Sequence, residues 1–389
     1  MIIADLDQAL TAAIAVLIAD GALPATSAHT AIPGTAATPG TTATAGITAT
    51  AGITATVATA GTWRPDPDGE PASFATSVAF ELAPPSGREP ATVAAALAPH
   101  LRRLPWVARA ASSGEGYLTI TVTPQALVAS AARQAAAGAA AARSTIRHGT
   151  TVTVRPWPDM AAAPSWRRAW QDHAAAMTSR LAEAAGAAIS AATTTTGERA
   201  ASRADAPCAP RLVAAAVSWF GLGSVRYRLA RTVIGQVPRL DRQLQPGSPA
   251  PDPLYQVRHA QTHAASTLRW AADLCLDTPD PGERAGDLLD TPAERRLLGL
   301  LPWLPVRVAS AARRRRPDVL PAYLEQVADA WLACWQAAPA LPFGGRAAPR
   351  DPAERGARLL LADAVQAVLA AGLTLTGVEV RLEGRNEHG

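Results

Sequence analysis

The groups able to do chemistry in this 389-residue chain are dominated by arginine, because all 36 basic residues are arginine and no lysine occurs. Without lysine there is no P-loop, no Schiff-base nucleophile and no kinase-type phosphate lysine. Cys208, Cys275 and Cys334 lie far apart, with no CxxC or Cys/His spacing. Neither a zinc site nor a disulfide framework is expected from them, and a reducing cytoplasm suits free thiols. The densest basic run is Arg313, Arg314, Arg315 and Arg316, just before Pro317. Such a run can neutralise nucleic-acid phosphates and release their counterions. It can equally complement the dipole at a helix C-terminus.

These groups need elements to position them. At roughly 100–200 residues per domain the length suggests two or three domains. The 48% hydrophobic fraction overstates the core, since about a quarter of the residues are alanine. Residues 1–210 carry 14 arginines and 14 acids, whereas residues 211–389 carry 22 and 18, so the whole net charge of +4 lies in the C-terminal half. Attraction to nucleic acid belongs there, and it is mild.

At the N-terminus, Ile2, Leu6, Leu10, Ile14, Leu17 and Ile18 recur at helical period, while Asp5 and Asp7 stand where a signal peptide needs positive charge. This predicts an amphipathic core helix. No membrane-length run of strongly apolar residues is expected. Residues 25–62 are a low-complexity run containing TATAGI twice, at 42–47 and 48–53. Two copies are too few for a repeat fold, and an insertion without a core is expected.

FATSVAFELA (74–83) predicts a helix start and PATVAAALAPHLRRL (90–104) a second helix. WVARAASSGEGYLTITVTP (106–124) predicts strand, turn, strand. Further on, TTVTV (150–154) predicts a strand and PSWRRAWQDHAAAMTSRLAEAAG (164–186) an amphipathic helix; 191–210 reads as a loop. From 211 the chain reads as four or five helices, broken at 235–253, 277–292, 337–353 and after 377, which is the pattern of a bundle.

The order DPLYQVRHAQTHAASTLRWA (252–271), TPAERRLLGLLPWLPVRV (291–308), LPAYLEQVADAWLACW (320–335), ARLLLADAVQAVLAAGLTLTGV (357–378) resembles the DALR anticodon-binding domain of arginyl-tRNA synthetases. VRYRLAR (225–231) resembles the segment leading into it. SFATSVAFELA (73–83), VAAALAPHLRRLPWV (93–107) and GYLTITVTPQAL (116–127) resemble the same family's N-terminal tRNA-contacting module. The resemblance implies that the 252–271 helix carries anticodon contacts, through Tyr255, Arg258, His259 and Thr262. RNA loops are read by stacking on aromatic or guanidinium planes and by hydrogen bonds to base edges. Tyr255 matches a family tyrosine, whereas Gln256, Arg258, His259, Gln261 and His263 depart from the family residues, which implies a changed base preference. The resemblance also places Phe74 and Ser77 near a contact with the tRNA elbow, and it favours an RNA role for Arg313–Arg316. The family's closing Pro-Glu-Arg/Lys-Met is replaced by a chain ending VRLEGRNEHG.

The middle departs from the family. A synthetase of this class activates arginine with ATP at a His-x-Gly-His turn. Here Ser165, Trp166, Arg167 and Arg168 occupy that place, so both histidines and the glycine are missing. His148 and His173 have no partner at i+3, and each reads as a surface residue. Only about 40 residues (187–225) follow before the DALR approach, too few for the remaining strands or a KMSKS-type loop.

The expected fold class is α+β: a small N-terminal α+β module (1–130, with the insertion at 25–62), a degenerate βα remnant of the catalytic domain (131–210), and an all-α DALR-type bundle (211–389). The expected function is tRNA binding without aminoacylation, with no catalytic residues, cofactor or metal. The expected partners are tRNA and a protein that uses it, with neither DNA nor membrane, in the cytoplasm. Arginine–tRNA ligase activity at the family level and a protein-binding scaffold that has lost RNA are the alternatives.

Overall fold

The computed structural model describes residues 2–23, 63–65, 71–144, 146, 149–190, 211–233, 236, 252–276, 282–342 and 349–380. The low-complexity run, the 191–210 segment, His148 and Cys208 lie outside the described residues. The chain divides into two compact units.

One unit comprises Ala4–Asp68 and Ser73–Thr121. Helix α1 (Ile2–Ala19) buries Leu6, Leu10, Ile14 and Leu17, the stripe that its period predicts. The Trp63 indole on β1 (Trp63–Pro65) donates to Asp7 Oδ1 at 2.6 Å. A four-stranded sheet has the order β1, β2 (Ser73–Thr76), β4 (Leu118–Val122), β3 (Val107–Ser112). Strand β2 is antiparallel to both neighbours, with Phe74 opposite Pro65 and Ile120. The helix expected from residue 74 therefore begins later, as α2 (Val78–Ser86). All four residues of β2 are buried, and ladder pairing on both edges overrides local helix preference. Helix α3 (Pro90–Leu101) buries Val93, Leu97 and Leu101.

The other unit holds Met1–Ile3, Gly69–Ala72 and everything from Val122. It opens with α4 (Pro124–Ala137), an Ala-rich helix that the sequence reading leaves unassigned. A two-stranded parallel sheet, β5 (Thr151–Val152) beside β6 (Ala188–Ile189), brackets α5 (Trp166–Ala184). Then come α6 (Arg211–Phe220), α7 (Leu222–Arg231), α8 (Pro253–Asp273), a short α9 (Ala285–Leu288), α10 (Pro292–Leu300), α11 (Leu304–Arg314), α12 (Val319–Ala337) and α13 (Pro352–Leu375). The bundle is thus divided more finely than four or five helices. The extra breaks fall at Gly221, held at φ 77°, at the 3-10 turn Leu301–Trp303, and at Arg315, which is left-handed at φ 53°.

Helices α8, α10 and α13 each begin at an Asp or Thr cap followed by proline. Asp252, Thr291 and Asp351 accept from backbone N–H groups of the first turn, while Pro253, Pro292 and Pro352 occupy a position that needs no donor. Helices α1 and α13 are both long and apolar enough to cross a membrane by length and composition, contrary to expectation. Helix α13 spends its apolar surface inside the unit, where α4, α8 and α12 pack around it. Gly372 permits the closest approach, since a Cβ there would collide with Leu324 of α12.

One buried ion pair ties this helix to α10. Glu294 is fully buried; its Oε1 accepts from Arg358 Nε at 2.7 Å and its Oε2 from the Thr291 backbone N–H at 3.0 Å, completing a capping box. Arg358 also meets Glu354 at 2.7 Å and the Pro339 carbonyl at 3.3 Å. Removing one member of such a pair leaves a buried charge without compensation, at about 3–5 kcal/mol. Glu294→Ala is expected to lower the urea midpoint by an equivalent amount with an unchanged m-value. The double variant Glu294→Met with Arg358→Met is expected to regain most of it. Equal losses in the single and double variants would contradict this account.

Candidate nucleic-acid interface

Helix α8 is fixed from behind by Leu254, Val257, Ala260, Ala264 and Ala271, all buried. That periodicity turns Tyr255, Arg258, His259 and Thr262 outward, and all four are exposed. Tyr255, 67% exposed, stacks on His259 with ring centroids 5.9 Å apart and planes 1° from parallel. His259 approaches His263 at 6.3 Å, and His263 packs against Trp335 at 4.2 Å and Trp331 at 5.8 Å on α12. An aromatic ladder therefore runs from solvent into the bundle. Burial, and then the neighbouring His259, lower the pKa of His263. The Gln256 amide donates to Asp329 and further fixes α8 against α12.

Beside this ladder lies a groove of about 350 Å³. Arg258, Thr262, Ser266 and Arg269 form its α8 wall, and Gln366 with Glu379 stands across it. The α8 segment was legible in the sequence. Trp331, Trp335, Gln366 and Glu379 were not, because each comes from an element distant in the chain and carries no local motif.

The arginine run is not uniform. Arg313, Arg314 and Arg315 are exposed at the end of α11. Arg316 instead forks onto Asp318 at 2.8 and 2.7 Å, and that carboxylate raises its pKa. Arg315 holds a left-handed conformation where glycine is usual. In the other unit Phe74 is fully buried in β2 and offers no face to a ligand, which corrects its reading as a contact residue. Ser77 is half-buried at the start of α2 and makes no capping hydrogen bond.

The Ser165–Arg168 stretch forms the N-terminus of α5. Ser165 accepts from the Arg168 backbone N–H at 3.2 Å, and Arg168 pairs with Asp172 at 2.7 Å. Trp166 and Trp170 pack against an apolar cluster that includes Met160, Val213 and Leu229. The helix thus starts at a serine cap, and the Arg168–Asp172 pair on its first turns lies in solvent. Among the described residues no group of three or more His, Cys, Asp or Glu side chains could hold a metal. Burial pushes the Cys334 thiol up to about 12.

His173 is fully buried, not the surface residue expected. It stacks on Trp157 at 5.3 Å, and neither ring nitrogen has a well-aligned partner among the described residues. Burial, then the charge of Arg226, lower its pKa from 6.5 to about 3, with the Arg226 main chain offsetting part of the shift.

A stacked aromatic pair and a guanidinium beside a polar groove are the kinds of groups with which unpaired RNA bases can be read. Residues 270–382 match the DALR anticodon binding domain. Part of the chain is similar to arginine–tRNA ligases. It is 34% identical to the arginine–tRNA ligase of Micrococcus luteus over 165 residues, 42% of this chain and 29% of the relative. It is 35% identical to those of Paenarthrobacter aurescens and Frankia alni over 162 and 158 residues, 28% of each. The matched stretch thus spans under a third of each relative's length.

The buried His173 makes a pH prediction. The folded state keeps it neutral down to about pH 3, whereas an unfolded chain protonates it near 6.5. Its stability contribution is intact above about 6.5 and is lost as pH falls from there toward 3, at up to about 1.4 kcal/mol per pH unit. His173→Phe is expected to remove this part of the acid slope. Urea midpoints of parent and variant between those pH values measure it, and parallel profiles would refute it.

Proposed function

We propose that this protein binds tRNA through the exposed face of α8 and the end of α11, and does not charge it. The observation that carries the reading is the outward set Tyr255, Arg258, His259 and Thr262, two of whose rings are already stacked. Pre-stacked rings lose little freedom when a base joins them, and each base–aromatic contact contributes about 1–3 kcal/mol. The relationship to arginyl-tRNA synthetases and the match to an anticodon binding domain support it.

The exposed Arg313, Arg314 and Arg315 suit phosphate contact, which supplies sequence-independent affinity. Arg316 contributes less in this reading, because Asp318 already occupies its fork. Absence of charging is supported by the departures at Ser165–Arg168, where the family's histidines and glycine are replaced. A triphosphate site needs open backbone donors and close approach. The cytoplasmic location and a protein that uses the bound tRNA belong to this proposal. A protein-docking scaffold is the second reading, favoured by the exposed Leu212 and Trp219 of α6 and Leu222 of α7.

Retention of total tRNA on a filter, with sequencing of the retained species, tests the main reading. Changing Arg313, Arg314 and Arg315 to Gln is expected to weaken all tRNAs alike, each lost phosphate contact flattening the salt slope by roughly 0.7–0.9. Arg258→Ala is expected to cost about 1–3 kcal/mol on the preferred tRNA and less on others. Binding of no tRNA by the parent would make the scaffold the better reading. Separately, arginine-dependent ATP–pyrophosphate exchange, with or without tRNA, is expected to stay at background, and a clear signal would overturn the non-charging part.

A further inference from the structure

His259 and His263 stand four residues apart on α8. On a helix that spacing puts two side chains on the same face, one turn apart, and it is the spacing at which a pair of helical histidines chelates zinc. Ala260 follows the first histidine where the hydrolytic form of that motif needs glutamate, so a metal ion here would have no general base beside it. The two rings meet edge to face with centroids 6.3 Å apart. A zinc–nitrogen bond of about 2.0–2.1 Å sets each ring centre roughly 3.2 Å from the ion, so two rings on one tetrahedral ion stand about 5 Å apart. His259 is exposed and can close the difference by a side-chain rotation, without backbone movement.

His263 is the fixed member of the pair. Its ring packs on Trp335 at 4.2 Å and on Trp331 at 5.8 Å, and its Nδ1 is buried with no hydrogen-bond partner among the described residues. A proton on that nitrogen suits the electron-rich indoles beside it, whereas a lone pair there would oppose them. The ring is then the tautomer whose Nε2 carries the free lone pair, and Nε2 is the nitrogen left to meet a ligand. Burial, and then the neighbouring His259, hold its pKa below the ordinary histidine value, so the neutral, ligating form prevails at neutral pH. Gln256, one turn earlier on the same seam, donates to Asp329 of α12, whose carboxylate adds negative charge to that seam.

We infer that His259 and His263 hold one exchangeable divalent ion of the zinc, nickel or copper class, with water completing its coordination. Imidazoles suit those ions, whereas magnesium and calcium take oxygen ligands. Two protein ligands leave positions open, so the ion is not a closed structural centre and the fold does not depend on it. Seating it draws His259 toward His263 and away from Tyr255, whose ring now lies 5.9 Å off. The inference stands independently of RNA binding.

The test titrates the untagged full chain with Zn²⁺, Ni²⁺ and Mg²⁺ by calorimetry. One zinc or nickel ion is expected to bind at this pair and no magnesium, and the spin resonance of bound Cu²⁺ is expected to show coupling to two imidazole nitrogens. His259→Ala, at an exposed position, is expected to weaken zinc binding at least on the order of tenfold, a loss that removing even a ligand's supporting partner can cause. Its thermal melting without metal is expected to stay that of the parent. His263→Gln is expected to weaken zinc binding to the same extent. The double variant His259→Ala with Thr262→His keeps the number of histidines but sets them side by side, where helix neighbours do not face each other, and is expected not to recover the affinity. Absence of zinc binding by the parent, equal affinity in parent and His259→Ala, recovery in the double variant, or a copper spectrum with fewer than two nitrogens overturns the inference. None of these outcomes bears on the tRNA reading.

Discussion

Helix α13 has almost no polar face to give to water, and the rest of its unit is arranged to meet that constraint. Leu359, Leu361, Val365, Val368, Leu369 and Leu373 are buried around its circumference, with alanines and two glycines between them. Burying each large side chain is favourable by roughly 1.5–3 kcal/mol, but only if neighbours close on every side. Helices α4, α8 and α12 do so. The small residues set how near they come, and the Glu294–Arg358 pair links α13 to the shorter α10, which packs on α12 and α4. A buried ion pair is a weak source of net stability, but it penalises every other register, because a shifted helix would strand one charge.

That arrangement determines the outer face. Helix α8 meets α13, α12 and α7, so its inward residues are committed and its outward ones are released from packing. Helix α7 then locks the corner. The buried Tyr227 hydroxyl lies 3.3 Å from the Pro321 carbonyl and 3.2 Å from Glu325 and shares its one proton between them, Arg231 pairs with Glu325 at 2.6 Å, and Arg228 lies 3.4 Å from the Asp252 cap of α8. The angular position of Tyr255, Arg258, His259 and Thr262 thus follows from buried contacts on three other helices. Affinity for a base stacked there depends on that preorganisation, since a wandering helix would have to be ordered on binding.

Helix starts in this chain were legible because they are written locally. An Asp or Thr cap followed by proline marks α8, α10 and α13, and the predicted breaks end close to those prolines. The end of α11 is harder to place: Arg315 closes it in a left-handed conformation usual for glycine, and Pro317 follows two residues on. Strand β2 was misread as helix because its identity comes from two partners, one ten and one more than forty residues away, and not from Ser-Phe-Ala-Thr itself. His173 shows the same limit. A lone histidine among alanines reads as surface, and only the approach of Trp157 and Arg226 buries it. The α8 face lay on one helix and could be read from spacing, whereas Gln366 and Glu379 join it only through tertiary packing.

The arginine-only composition changes what the charge count means. Arg226, Arg228 and Arg231, all within one short segment, are engaged with a backbone carbonyl, an N-cap carboxylate and Glu325. Arg358 serves two carboxylates and a carbonyl, and Arg316 a third carboxylate side chain. Lysine could not replace Arg231, Arg316 or Arg358, because each uses several donors of its planar fork in fixed directions. These arginines therefore help hold the protein together, but they engage as many carboxylates, so the net charge of +4 is unaltered by the pairing and stays mild. With the general electrostatic attraction so limited, the tRNA binding we propose has to draw on shape: parallel rings, a guanidinium plane held against Gly223, and a polar groove beside them. Interactions of that kind are short-ranged and weakly screened by salt, so they favour one loop conformation over others more than they favour nucleic acid in general.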